Sequence, residues 1–129
     1  MKRNALRVAS TLLALAFLVP SLPVLAAPPA PSPGTALIQG EIRVLFYQTS
    51  AIALASGLTQ GERTSLVAKL IHAIDALGRA KDTAAINDLQ SFINELNALE
   101  QSGRLSPYDA NALRDQAGLI VTQIENLPA

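Results

Sequence analysis

His72 is the single histidine of this 129-residue chain, and no cysteine accompanies it. An imidazole can act as a general base or begin a metal site, and Asp75, one helical turn on, is the nearest carboxylate to assist it. Neither chemistry is completed locally. A metal centre needs several converging ligands, and one histidine with one carboxylate falls short. The residues one turn from His72 are Ala68, Lys69, Asp75 and Ala76, which puts the ring on the flank of an apolar stripe rather than within it. Asp75 and Arg79 have the spacing of a surface ion pair, which accounts for both. Asp88, Glu95, Asp109, Asp115 and Glu125 would have to meet across helices to work as acid and base, and their spacing is that of solvated polar faces. The missing thiols exclude cysteine nucleophiles, thiolate metal sites and disulfides together. No Gly-rich phosphate loop, nucleophile elbow or calcium loop is present in the sequence. The expectation is a non-enzymatic protein with no catalytic, cofactor-binding or metal-binding residue. The alternative, a hydrolase or metal-dependent enzyme, would have to use His72, Asp75 or Glu95.

Charge and aromatic content narrow the partners. With Lys2, Arg3 and Arg7 set aside, seven basic residues stand against ten acidic ones, a net charge of about minus three. A nucleic-acid binder needs a clustered basic surface to displace counterions from phosphates, and none occurs. After residue 26 the aromatic residues are Phe46, Tyr47, Phe92 and Tyr108. Phe46 and Phe92 fall on core stripes, so a sugar-stacking platform of several exposed rings is not expected. Tyr47 and Tyr108 read as half-buried boundary residues, with partner contact as the alternative.

The elements that must position these residues are helices. From Thr35 onward apolar residues recur at three and four, with no proline until Pro107. The first helix is expected over 36–56, with Ile38, Ile42, Leu45, Phe46, Thr49, Ile52 and Ala53 inward and Gly57 as its end. Thr59-Gln60-Gly61-Glu62 has the form of a capping box and opens a second helix. Its stripe is Leu66, Leu70, Ile74 and Leu77, widened by Val67 and Ile71, and Gly78-Arg79 marks its end. Asp82 is the expected N-cap of a third helix, carrying Ala85, Ile86, Leu89, Phe92, Ile93, Leu96 and Leu99 inward and stopped by Gly103. Ser106-Pro107 starts the fourth, because serine caps orphan amides and proline needs none at the first position. That helix buries Leu113, Ala117, Ile120, Val121, Ile124 and Leu127. Connections of a few residues make successive helices antiparallel neighbours, so the fold class is all-α, a small antiparallel up-down bundle of about four helices over 36–129. The shared apolar pattern of 70–77 and 92–99 is what two facing helices of one hairpin require, with internal duplication as the alternative.

Ahead of the bundle the chain follows an export grammar. Lys2, Arg3 and Arg7 form a positive start, and Val8 to Val19 is an uncharged apolar stretch of about a dozen residues. Pro20 and Pro23 break it, and Val24-Leu25-Ala26 suits cleavage after Ala26, giving a signal peptide over 1–26. The alternative is an uncleaved membrane anchor, since no charge lies between Arg7 and Glu41. Residues 27–35, with Pro28, Pro29, Pro31 and Pro33, read as a stiff polyproline II linker.

The Gly-terminated first helix, Leu66 to Leu77, the Ala80-Lys81-Asp82-Thr83-Ala84-Ala85 turn and Leu89-Gln90-Ser91-Phe92-Ile93-Asn94-Glu95-Leu96 together resemble the FIMAH-type helical domain of secreted bacterial proteins. The resemblance covers about residues 42–124, and its strongest element is the Phe92-Ile93 pair, followed by Gly103, Leu105 and the last amphipathic helix. It implies a helical accessory module, found beside hydrolase or adhesion-type domains, with no established catalytic residues to carry over. The expected function is therefore an exported accessory or interaction module that binds a protein or cell-envelope component through exposed helix faces. A membrane-tethered structural protein is the rival if the leader is retained. Self-association is a further expectation, because Val44, Tyr47, Leu54 and Ala55 lie off the main stripe of the first helix.

Overall fold

The computed structural model describes residues 32–128, so the proposed signal peptide and the linker up to Pro31 lie outside the described residues. Four helices and no strand occur among them: α1 Pro33–Ala55, α2 Gln60–Gly78, α3 Asp82–Gln101 and α4 Pro107–Glu125.

Helix starts are set by side chains that satisfy orphan amides. At α2 both halves of the capping box are made: the Glu62 amide donates to Thr59 Oγ1 at 3.1 Å and the Thr59 amide donates to Glu62 Oε1 at 2.8 Å. At α4 the Asp109 amide donates to Ser106 Oγ at 3.1 Å, with Pro107 in the first turn. The same device opens α1, where the Thr35 amide donates to Ser32 Oγ at 3.2 Å ahead of Pro33. The helix therefore starts three residues before the expected Ala36, and Pro33, Gly34 and Thr35 belong to it rather than to a linker. At α3 the N-cap is Lys81, without a side-chain bond, and Asp82 is the first helical residue instead of the cap. A carboxylate there still faces the positive end of the helix dipole.

Helix ends follow one pattern three times. Gly57, Ala80 and Gly103 have φ of 72°, 58° and 74°, the left-handed region. The Leu58, Lys81 and Arg104 amides reach back to the Ala53, Ala76 and Leu99 carbonyls at 3.1, 2.8 and 2.8 Å, the long bond of a Schellman motif. The short bonds, from the amides of Gly57, Ala80 and Gly103 to Leu54, Leu77 and Glu100, are present as well.

Each helix packs on its chain neighbours, and α4 closes back on α1. Long-range bonds show the sense of the chain: Gln39 Nε2 donates to the Ile74 carbonyl at 3.0 Å, Ser65 Oγ to Glu95 Oε2 at 2.9 Å and Gln123 Nε2 to Glu41 Oε1 at 3.3 Å. In each, the first half of one helix meets the second half of its neighbour.

The apolar stripes converge on a core in which Ile42, Leu45, Leu70, Leu89, Phe92 and Leu96 are fully buried, closed at the loop ends by Leu58 and Leu105. On α2 the inward line is Leu66, Leu70, Ala73 and Leu77; Ile71, expected to widen it, is 51% exposed. One residue past Leu70 is about 100° round a helix, which carries Ile71 beyond the contact zone. Thr49 is the one buried polar residue among those described, and its hydroxyl has no hydrogen-bond partner. An unpaired buried hydroxyl costs roughly 1 to 3 kcal/mol, and valine has nearly the same shape. Thr49→Val is therefore expected to raise stability by about 1 kcal/mol in urea unfolding; a lower midpoint would mean that the hydroxyl is satisfied in the native state.

Candidate functional site

The residues with chemical potential are dispersed. His72 stands exposed on α2, and Asp75 is taken by Arg79, with Nε to Oδ2 at 3.2 Å and both side chains mostly in solvent. Glu95 is held by Lys69 at 2.6 Å and accepts from the Ser65 hydroxyl, joining α3 to α2. The ion pair and the hydroxyl bond brace α3 against α2. Asp88, Asp109, Asp115 and Glu125 make no ion pair among the described residues. No group of three or more His, Asp or Glu side chains that could hold a metal occurs among the described residues.

Two further polar clusters were not legible from spacing. Arg114 on α4 donates through Nη1 to Glu100 Oε1 at 2.9 Å and Asn97 Oδ1 at 2.5 Å, and through Nη2 to Glu100 Oε2 at 3.3 Å and to Asn111. It clamps α4 to α3. Arg104 reaches Glu62 Oε1 at 2.7 Å, tying the α3–α4 connection to the start of α2.

The Thr59 amide donating to the Glu62 carboxylate, helped by the Thr59 hydroxyl and the Arg104 guanidinium, holds that group below the usual 4.5 against an opposing push from burial. A carboxylate whose folded pKa is depressed stabilises the fold fully above its unfolded value and loses that contribution as pH falls through the folded one. Wild type is thus expected to exceed Glu62→Gln in urea midpoint at pH 7, with the gap closing as pH falls below about 4.5. A gap that stays constant down to pH 3 would show that the charge on Glu62 contributes nothing.

A groove of about 310 Å³ lies between α1 and α4, lined by Gln48, Ala51, Ile52, Ala112, Leu113 and Gln116. Another of about 200 Å³ lies between α1 and α2, lined by Ser50, Leu54, Arg63, Thr64 and Val67. Arg63 is the one charged group in either, and its guanidinium is engaged with the Leu58 carbonyl at 2.7 Å. Between the grooves runs the outer face of α1, where Leu37, Val44, Tyr47 and Leu54 are 72, 50, 69 and 67% exposed. Tyr47 is thus not a half-buried boundary residue, and neither is Tyr108 at 83%. Tyr47 points away from the α1 core stripe, and Tyr108 sits in the first turn of α4 beyond the packed layer. Helix α1 carries two charged residues in its 23, Glu41 and Arg43, against four in each of the shorter helices. None of the described helices is long and apolar enough to cross a membrane. In comparisons with known proteins, no family model, no curated protein and no solved structure matches the chain.

Proposed function

We propose that the chain is an exported, non-enzymatic accessory or interaction module that binds a protein or cell-envelope component through its exposed helix faces. The observation that carries this reading is the outer face of α1: large apolar side chains in solvent, on a helix with two charges, in a protein whose candidate acids and bases stand apart. Export is supported by the basic start at Lys2, Arg3 and Arg7, the uncharged stretch to Val19 and the Val24-Leu25-Ala26 site. The up-down bundle of the FIMAH kind is supported by the short connections and by the residue pattern from Leu66 to Leu96.

Two measurements on the protein recovered from the exported fraction test the reading. Its intact mass should place the N-terminus at Ala27, and a partner should be retained from envelope extract. A mature N-terminus at Met1 would favour the membrane-tethered structural protein. Failure to retain any partner, together with a hydrolytic activity abolished by alanine at His72, Asp75 or Glu95, would favour the enzyme and overturn the proposal.

A further inference from the structure

We propose that the outer face of α1 is an antiparallel, two-fold pairing seam for a second copy of this chain. Leu37, Gly40, Val44, Tyr47, Ala51 and Leu54 recur at alternating intervals of three and four, which are the a and d positions of a heptad repeat. All six are apolar or glycine. The seam lies nearly opposite the inward stripe of Ile38, Ile42, Leu45, Thr49 and Ala53, so α1 has two apolar faces and the other described helices pack on one.

Three features favour a second copy as the occupant. The first is self-complementarity. In an antiparallel pair centred between Leu45 and Phe46, Leu37 meets Leu54 of the second copy, Gly40 meets Ala51 and Val44 meets Tyr47, and the same three layers repeat in reverse across the two-fold axis. A parallel pair would instead stack Gly40 on Gly40 and Tyr47 on Tyr47, leaving one layer underfilled and another overfilled. The second is Gly40 itself. A Cβ built there meets nothing within 4 Å, so packing within the chain gives no reason for a glycine in the middle of a helix. A close approach of two backbones does. The third is area and charge. With four large side chains half to three-quarters exposed, pairing removes roughly 1,000 Å² in total, at the lower edge of specific interfaces. Antiparallel pairing sets Glu41 beside Gln48 and Arg43 beside Ser50, so no like charges face each other. Arg43 is the one basic residue of α1, whereas a helix that lies on a membrane surface depends on a basic polar face. The dimer is therefore expected to be weak and to form as concentration rises.

The inference rests on the α1 face being the interaction surface and names its partner. Because the chain contains no cysteine, single cysteines report the pairing directly. Gly40→Cys mixed with Ala51→Cys and oxidised should give a mixed disulfide dimer, while each variant alone should cross-link poorly. Efficient cross-linking of each alone would overturn the antiparallel seam. In sedimentation the wild-type chain should dimerise with concentration. Tyr47→Lys, at an exposed position that leaves the core intact, should raise the dissociation constant at least tenfold, and Tyr108→Lys should leave it unchanged. A chain that stays monomeric, or a Tyr47→Lys variant that pairs like wild type, would refute the proposal. A monomer whose Tyr47→Lys variant loses an envelope partner would refute the second copy while leaving the proposed function standing.

Discussion

Phe92→Ala is expected to lower the free energy of unfolding by about 3 to 5 kcal/mol and leave much of the population unfolded. Phe92 is the largest fully buried side chain among the described residues, with no exposed surface, and it sits in mid-α3 within a core cluster to which all four helices contribute. Its removal loses the transfer free energy of the ring and also opens a cavity that four short, mutually braced helices close only in part. Leu70→Ala, Leu96→Ala and Ile120→Ala act by the same route with a smaller void, at about 2 to 5 kcal/mol each. His72→Ala, at an exposed position beside the stripe, is expected to change stability by about 0.5 kcal/mol or less. Urea unfolding followed by far-UV circular dichroism reads all five. A Phe92→Ala midpoint close to that of His72→Ala would mean that the core lies elsewhere.

Ala80→Gly should raise stability by about 1 kcal/mol, and Gly57→Ala and Gly103→Ala should each lower it by about 1 to 2 kcal/mol. The three residues occupy the same left-handed position in the same two-bond helix ending, and only Ala80 carries a Cβ that this backbone conformation disfavours. The Ala80 gain is partly offset by the greater freedom glycine has in the unfolded chain, which keeps it below the cost at the other two sites. Thermal midpoints of the three variants should therefore split in sign. Destabilisation by Ala80→Gly would show that the α2–α3 connection owes its shape to something other than the Schellman bonds.

The same comparison shows what a linear sequence reveals. Ser106-Pro107 declared the start of α4, because a single proline after a serine stands out against helical periodicity. Ser32-Pro33 performs the same task for α1 and was hidden by Pro28, Pro29 and Pro31, which made the whole run read as extended. Gly57 and Gly103 marked their helix ends by residue type, whereas Ala80 takes up the left-handed turn without a glycine to announce it. The inward stripes were legible from spacing, since a period near 3.6 fixes which residues share a face. The rotation of each helix in its socket was not, and it separates buried Ala73 and Ala76 from exposed Ile71. The pairs Lys69–Glu95, Arg104–Glu62 and Arg114–Glu100 depend on that rotation and on helix register, so no spacing rule could supply them. For the surface, the off-stripe residues Val44, Tyr47 and Leu54 were visible in the sequence. Their exposure, and that of Leu37 in line with them, required knowing that none of the other described helices packs on the outer side of α1.

Fold and surface therefore draw on the same helix from opposite sides. The inner face of α1 is shut against α2 and α4, and its outer face carries exposed Leu37, Val44, Tyr47 and Leu54. Neighbouring residues Val44 and Leu45 divide these roles, one 50% exposed and the other fully buried. The most direct measurement is the far-UV circular dichroism and thermal midpoint of Leu45→Asp and Val44→Asp at low protein concentration. Leu45→Asp, which places an unpaired charge in the core, should lose the cooperative helical transition; Val44→Asp should keep its helicity and melt within a few degrees of wild type. The opposite ranking, or equal damage from both, would contradict the register on which the fold and the surface are built.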